Sequence, residues 1–152
     1  MNLSLYTGGV RPFLEYATTA AQNIPAAALT TLTLTTELAD TGNHGTLASN
    51  IVTLASGTYL FKGGTSGTGT GTGDGYLQLT NTTAAAPISY RSFANYRYFN
   101  NSAGMMYDGL PIAPEITGQF RLTSSSSIAL QIYCASTFTI RTGNFLQLWK
   151  LA

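Results

Sequence analysis

Glu115-Ile116-Thr117-Gly118-Gln119-Phe120-Arg121-Leu122 alternates with a period of two, placing Ile116, Gly118, Phe120 and Leu122 on one face and Thr117, Gln119 and Arg121 on the other. A polar break at Ser124-Ser125-Ser126-Ser127 follows. Ile128, Leu130, Ile132 and Cys134 then alternate with Ala129, Gln131 and Tyr133. Two runs around a short polar break predict a β-hairpin with one apolar face. A last run, Asn144-Phe145-Leu146-Gln147-Leu148-Trp149-Lys150-Leu151, predicts a strand that ties the end of the sequence into a sheet. Leu146 and Leu148 share one face of it, and Phe145, Trp149 and Leu151 the other. A sheet with only one face on a core would leave one of these sets in water. The second set therefore points to a contact between subunits, and Phe145, Trp149 and Leu151, with Tyr133, are the candidate interface residues. The competing reading is a strand buried on both faces within one subunit.

Working outward, a length of 152 residues suits one domain, and 44% hydrophobic residues are ample for its core. Charge is sparse at 9%, against about 25% in ordinary soluble domains. The polar surface is therefore built from Thr, Ser, Asn, Gln and Gly, with little repulsion to hold neighbouring copies apart. A formal net charge of +1 offers no footprint for a phosphate backbone, so no nucleic-acid partner is expected. No run of 18 apolar residues exists to predict a membrane span. The opening Met1-Asn2-Leu3-Ser4-Leu5-Tyr6-Thr7-Gly8-Gly9 has neither the basic region nor the apolar stretch of a signal peptide. Cys134, the single cysteine, has no partner for an internal disulfide and reads as a small buried hydrophobe.

Residues 1–11 read as an arm jointed at Gly8-Gly9, and residues 12–152 as one domain. Phe13 to Tyr16 is a short strand candidate. The Ala-rich stretch 18–29, interrupted by Pro25, supports no more than a turn. Thr30 to Thr36 is β by propensity, and residues 39–45 have turn chemistry. Strands are expected at 51–54, 58–62 and 76–79. Between the last two, the Gly/Thr stretch 63–75 predicts a flexible surface loop. Residues 88–99 form an aromatic strand candidate, followed by a loop over 100–114. Eight to ten short strands separated by turn signals predict an all-β antiparallel sandwich or barrel.

Three passages resemble C1q/TNF-like domains: the apolar run Ser49 to Ala55 leading into Gly57-Thr58-Tyr59-Leu60, the Gly-x-Phe strand Ile116-Thr117-Gly118-Gln119-Phe120-Arg121-Leu122, and the Leu146-Gln147-Leu148-Trp149-Lys150-Leu151 ending, which is similar to phage-associated versions. The resemblance runs from about Phe13 onward, although residues 76–114 carry no matching motif. It implies a jelly-roll sandwich of about ten strands that assembles as a homotrimer, and a place on a virion surface.

Chemistry-bearing constellations are weak. Gly67-Thr68-Gly69-Thr70-Gly71 leads toward a strand and lacks the Lys-Ser/Thr of a phosphate loop. His44, the single histidine, follows Asp40 by four residues, but no nucleophile elbow accompanies them. One His and one Cys cannot supply a zinc set. Asp74 and Asp108 read as turn formers rather than Ca²⁺ ligands. Asn81-Thr82-Thr83 and Asn100-Asn101-Ser102 match the glycosylation pattern and read as loop residues. The interleaved Tyr90, Arg91, Phe93, Tyr96, Arg97 and Tyr98 could stack bases or sugars if exposed, but no basic surplus supports it. The expectation is accordingly a protein with no catalytic residue, cofactor or metal. It would be a trimeric capsid decoration protein whose arm residues Leu3, Leu5, Tyr6 and Val10 dock on the major capsid protein by strand addition. The alternative is a fibre knob that recognises host surface glycans.

Overall fold

The computed structural model describes residues 12–69, 74–88, 96–100, 111–112 and 115–151. Among them the chain forms β1 (Phe13–Thr18), β2 (Gln22–Ile24), β3 (Ala28–Thr31), β4 (Thr36–Asp40), β5 (Gly45–Ala48), β6 (Ile51–Leu54), β7 (Gly57–Gly69), β8 (Asp74–Asn81), β9 (Ala86–Pro87), β10 (Tyr96–Asn100), β11 (Pro111–Ile112), β12 (Glu115–Leu122), β13 (Ser126–Cys134) and β14 (Phe138–Lys150). No described helix is long and apolar enough to cross a membrane.

All described pairings are antiparallel and fall into two sheets. The first runs β4-β1-β14-β7-β12, with the short β11 beside β7 and β2 beside β14. The second runs β5-β6-β13-β8-β10, with β3 beside β13 and β9 beside β8. Two layers of five principal strands make the expected antiparallel sandwich.

Their inner faces meet in one core. Leu14, Tyr16, Tyr59, Phe61, Ile116, Phe120, Leu146 and Leu148 come from the first sheet, and Val52, Leu54, Leu77, Leu79, Ile128, Leu130 and Ile132 from the second. The Phe120 ring lies 5.5 Å from Tyr59 and 5.8 Å from Phe61, so three adjacent aromatics fill one end. Gly63 is one point where the layers approach closely: a Cβ there would stand 2.9 Å from Leu130 Cδ1.

The structure corrects several expectations. The two alternating runs do not pair as a hairpin. β12 pairs with β7 in the first sheet, and β13 with β8, β6 and β3 in the second. Residues 123–125 cross between the layers, so the apolar faces of the two runs oppose each other across the core. A period of two reports which face is apolar and is silent on partners.

The expected loop at 63–75 is mostly strand. β7 continues to Gly69 and β8 starts at Asp74, leaving 70–73 outside the described residues. Gly63, Gly64 and Thr65 are buried, because small residues let β7 run close beneath Leu130 and the Phe145 ring. The Ala-rich stretch supplies β2 and β3 around a turn at Pro25. The Thr30–Thr36 run is broken: Leu32 N–H donates to Leu130 O of the second sheet and Thr35 N–H to Ala17 O of the first, so residues 32–35 cross between layers. Of the aromatic stretch 88–99, Tyr96 to Phe99 belong to β10, and 89–95 lie outside the described residues.

A buried polar cluster sits where β14 bulges. Its register against β7 shifts between Ile140 and Asn144, and Gly143 adopts a left-handed φ of 81° there. Asn144, wholly buried, accepts from Thr65 Oγ1 (2.6 Å) and donates to Thr33 O (3.1 Å) and Gln22 Oε1 (3.4 Å). Gln22 in turn accepts from Thr33 N–H (2.9 Å) and donates to Thr31 O (2.8 Å). The cluster anchors the crossing segment to β14.

Candidate subunit interface

The outer face of the first sheet is read off its register. Residues directly opposite each other project to the same side, so Trp149 shares its side with Phe13 and Leu60, Gln147 with Glu15 and Lys62, and Phe145 with Ala17 and Gly64. On β12, Glu115, Thr117, Gln119 and Arg121 continue these rows.

Phe13, Leu60, Phe145, Trp149 and Leu151 are each half-buried. The rings of Phe13 and Trp149 lie 5.3 Å apart and tilted by 39°. Phe145 covers Gly64, where a Cβ would stand 2.6 Å from its ring. Two pairs of polar side chains lie among them. Gln147 Nε2 donates to Glu15 Oε1 at 2.9 Å. Lys62 Nζ lies 3.2 Å from Glu115 Oε2 and 5.6 Å from the centre of the Phe145 ring. The ion pair is exposed on both sides and stabilises the subunit little. Beside it, Leu60, Lys62, Thr117, Gln119 and Trp149 line an open groove of about 680 Å³.

Of the candidate interface residues, Phe145, Trp149 and Leu151 stand together at this face. Tyr133 does not: it lies on β13 in the other sheet, its ring stacked 5.2 Å from Tyr76. The register thus sets Tyr133 apart from the other three, in the other sheet. Leu3, Leu5, Tyr6 and Val10 lie outside the described residues. Phe13, Leu60 and Lys62 were missed by sequence reasoning. The alternation Phe13-Glu15-Ala17 and Leu60-Lys62 was visible, but only the register puts those residues beside Trp149.

The other constellations resolve into structural roles. Both oxygens of Asp40 accept backbone N–H groups, from His44 at 3.0 Å and Gly45 at 2.9 Å, which fixes a turn rather than orienting the imidazole. Ser126 Oγ donates to Ser124 O, and Ser127 Oγ bonds Thr53 Oγ1 at 2.9 Å. Among the described residues no three His, Cys, Asp or Glu side chains gather as a metal site. Burial pushes the Cys134 thiol up to about 11, as suits an inert core thiol. Tyr16 is raised far above the ordinary phenol value, first by burial and then by Glu37 and Asp40, and its hydroxyl has no hydrogen-bond partner among the described residues.

Solved structures share this architecture along nearly the whole chain. Murine APRIL at pH 5.0 superposes with a TM-score of 0.65 at 14% identity, covering 93% of this chain and all of that one. This is a C1q/TNF-like jelly roll. Eiger TNF from S. frugiperda gives 0.61 at 14% identity, over 93% of this chain and 94% of that one. The globular domain of zebrafish complement 1qA gives 0.56 at 11%, over 93% and 98%. No family profile and no curated protein matches the sequence. At such identities the C1q/TNF-like likeness is one of fold.

Proposed function

We propose that this chain is a non-catalytic structural protein of a phage virion, a homotrimeric decoration protein seated on the major capsid protein. The observation that carries the assembly is the half-buried set Phe13, Leu60, Phe145, Trp149 and Leu151 on the outer face of the first sheet, where Gln147 is paired with Glu15 and Lys62 with Glu115. Completing the burial of each such side chain is worth on the order of 1 kcal/mol. The C1q/TNF-like fold, the sparse charge and the phage-like ending of the sequence support the virion setting. In this reading residues 1–11 add to the capsid surface as a strand through Leu3, Leu5, Tyr6 and Val10. A rival reading, a knob for host surface glycans, draws on Leu29, 44% exposed, which lies opposite Tyr133 in the register of the second sheet.

Sedimentation equilibrium at micromolar concentration tests the assembly. The expected result is a trimer for the native chain and dissociation for Trp149→Ser with an unchanged far-UV spectrum. A native chain that sediments as a monomer overturns it. Capsid binding undiminished by deletion of residues 1–11 removes the role of the arm, and specific signals on a glycan array favour the knob.

A further inference from the structure

The outer face of the second sheet is laid out by the register of β3, β13 and β8. Leu29, Tyr133 and Tyr76 lie in one row across these strands, and Thr31, Gln131 and Gln78 in the next. Ile132 and Leu77, between the rows, enter the core, so both rows point outward. Leu29 is exposed, and Tyr133, Tyr76, Gln131 and Thr31 are half-buried. The Tyr133 and Tyr76 rings stand 5.2 Å apart at 16°, an offset stack in which each ring stiffens the other beside Leu29. The polar row is fixed as well. Gln131 Oε1 accepts from Thr80 Oγ1 at 2.6 Å and from Gln78 Nε2 at 3.3 Å, which sets the amide so that its Nε2 donates to Thr31 Oγ1 at 3.3 Å. Three donors then have no acceptor among the described residues: the second amide N–H of Gln131, the Thr31 hydroxyl and the Tyr133 hydroxyl. β3 and β13 carry no charged residue, and β8 only Asp74 at its start.

An uncharged apolar ledge flanked by rigid hydrogen-bond donors fits a neutral saccharide, whose rings offer C–H faces and, at their rim, hydroxyl oxygens that accept. The tyrosine row spans two strand-to-strand steps, about 10 Å, the length of about two hexose rings. Three apolar side chains fall far short of a protein interface, which buries about 800 Å² per partner around an apolar core. Tyrosine supplies contact area at a low cost in entropy, and side chains already locked by their neighbours lose little more on binding. We propose that Tyr133, Tyr76 and Leu29, with the donors of Gln131 and Thr31, form a platform for neutral oligosaccharides. The platform lies on the other side of the sandwich from Phe13, Leu60 and Trp149, so subunits that meet through the first sheet do not consume it. It adds recognition to the structural role without depending on it, and gives the glycan-recognising alternative its site.

Saturation-transfer difference NMR of the full chain with maltotriose, lactose, mannobiose and diacetylchitobiose tests it, with a sulfated heparin tetrasaccharide as the anionic arm. The expected result is a signal from at least one neutral sugar, strongest on its ring C–H protons, and none from heparin. Tyr133→Ala is expected to weaken that binding at least about tenfold, the scale of an aromatic anchor, and Gln131→Ala to weaken it less. Leu29→Glu, which places a charge on an exposed position of the ledge, should abolish it while the far-UV spectrum and the sedimentation stay native. Silence from all four neutral sugars overturns the platform, as does binding of heparin alone. A saccharide signal that survives both Tyr133→Ala and Leu29→Glu places the sugar elsewhere and overturns it too. Loss of capsid binding in Leu29→Glu with no saccharide signal from the native chain assigns the face to a protein partner instead. If Trp149→Ser dissociates the oligomer and each subunit keeps its saccharide signal, platform and assembly are both upheld and independent. A native monomer that still binds the sugar removes only the assembly.

Discussion

Asn144→Ala is the substitution whose cost follows most directly from the structure. The wholly buried Asn144 amide is the acceptor for Thr65 Oγ1 and a donor to Thr33 O and Gln22 Oε1. Gln22 Oε1 keeps the Thr33 N–H, so the groups stranded by truncation are the buried Thr65 hydroxyl and the Thr33 carbonyl. A buried polar group left without a partner costs about 1–3 kcal/mol; with Thr65 stranded in full and the half-buried Thr33 carbonyl in part, the expected loss is about 3 kcal/mol. For a domain of this size that lowers Tm by roughly 6–12 °C. Thr139→Val is the control. It removes one exposed bond, from Thr139 Oγ1 to Asn23 Oδ1 at 3.1 Å, and should change stability by less than about 0.5 kcal/mol. Urea unfolding followed by far-UV circular dichroism, at one fixed protein concentration because assembly adds to apparent stability, measures both. If Asn144→Ala loses less than about 1 kcal/mol, or no more than Thr139→Val, the cluster does not hold the crossing segment and the reasoning fails.

Two further predictions concern the core. Gly63→Ala forces a Cβ against Leu130 and should cost about 1–3 kcal/mol. Leu130→Val should recover part of that loss in a double-mutant cycle, and strict additivity would show that the contact is not the cause. Because the Cys134 thiol stays protonated to about pH 11 in the folded chain and only to about 9 when free, the folded state binds more protons in that window. Stability should therefore be level below pH 9 and fall as the pH rises toward 11. The raised Tyr16 and Tyr59 hydroxyls act in the same direction. Equilibrium unfolding across pH 7–11 reads this out, and a midpoint that rises above pH 9 would contradict it.

Alternation in the sequence was enough to determine which side chains enter the core. Ile116, Phe120, Leu122, Ile128, Leu130, Ile132, Leu146 and Leu148 are all buried, because a strand's period of two writes its faces directly into the residue order. It also marked Phe145, Trp149 and Leu151 as a second apolar set. Partnership was decided only by the tertiary structure. Hydrophobic pattern carries no address, so two consecutive alternating runs read as a hairpin although they belong to opposite sheets. The Gly/Thr stretch misled for a related reason: glycine's low strand propensity argued for a loop, whereas close packing beneath Leu130 and Phe145 required residues that small. Phe13, Leu60 and Lys62 stand beside Trp149 and Tyr133 lies in the other sheet, because residues far apart in the chain become neighbours only through hydrogen-bond register between strands.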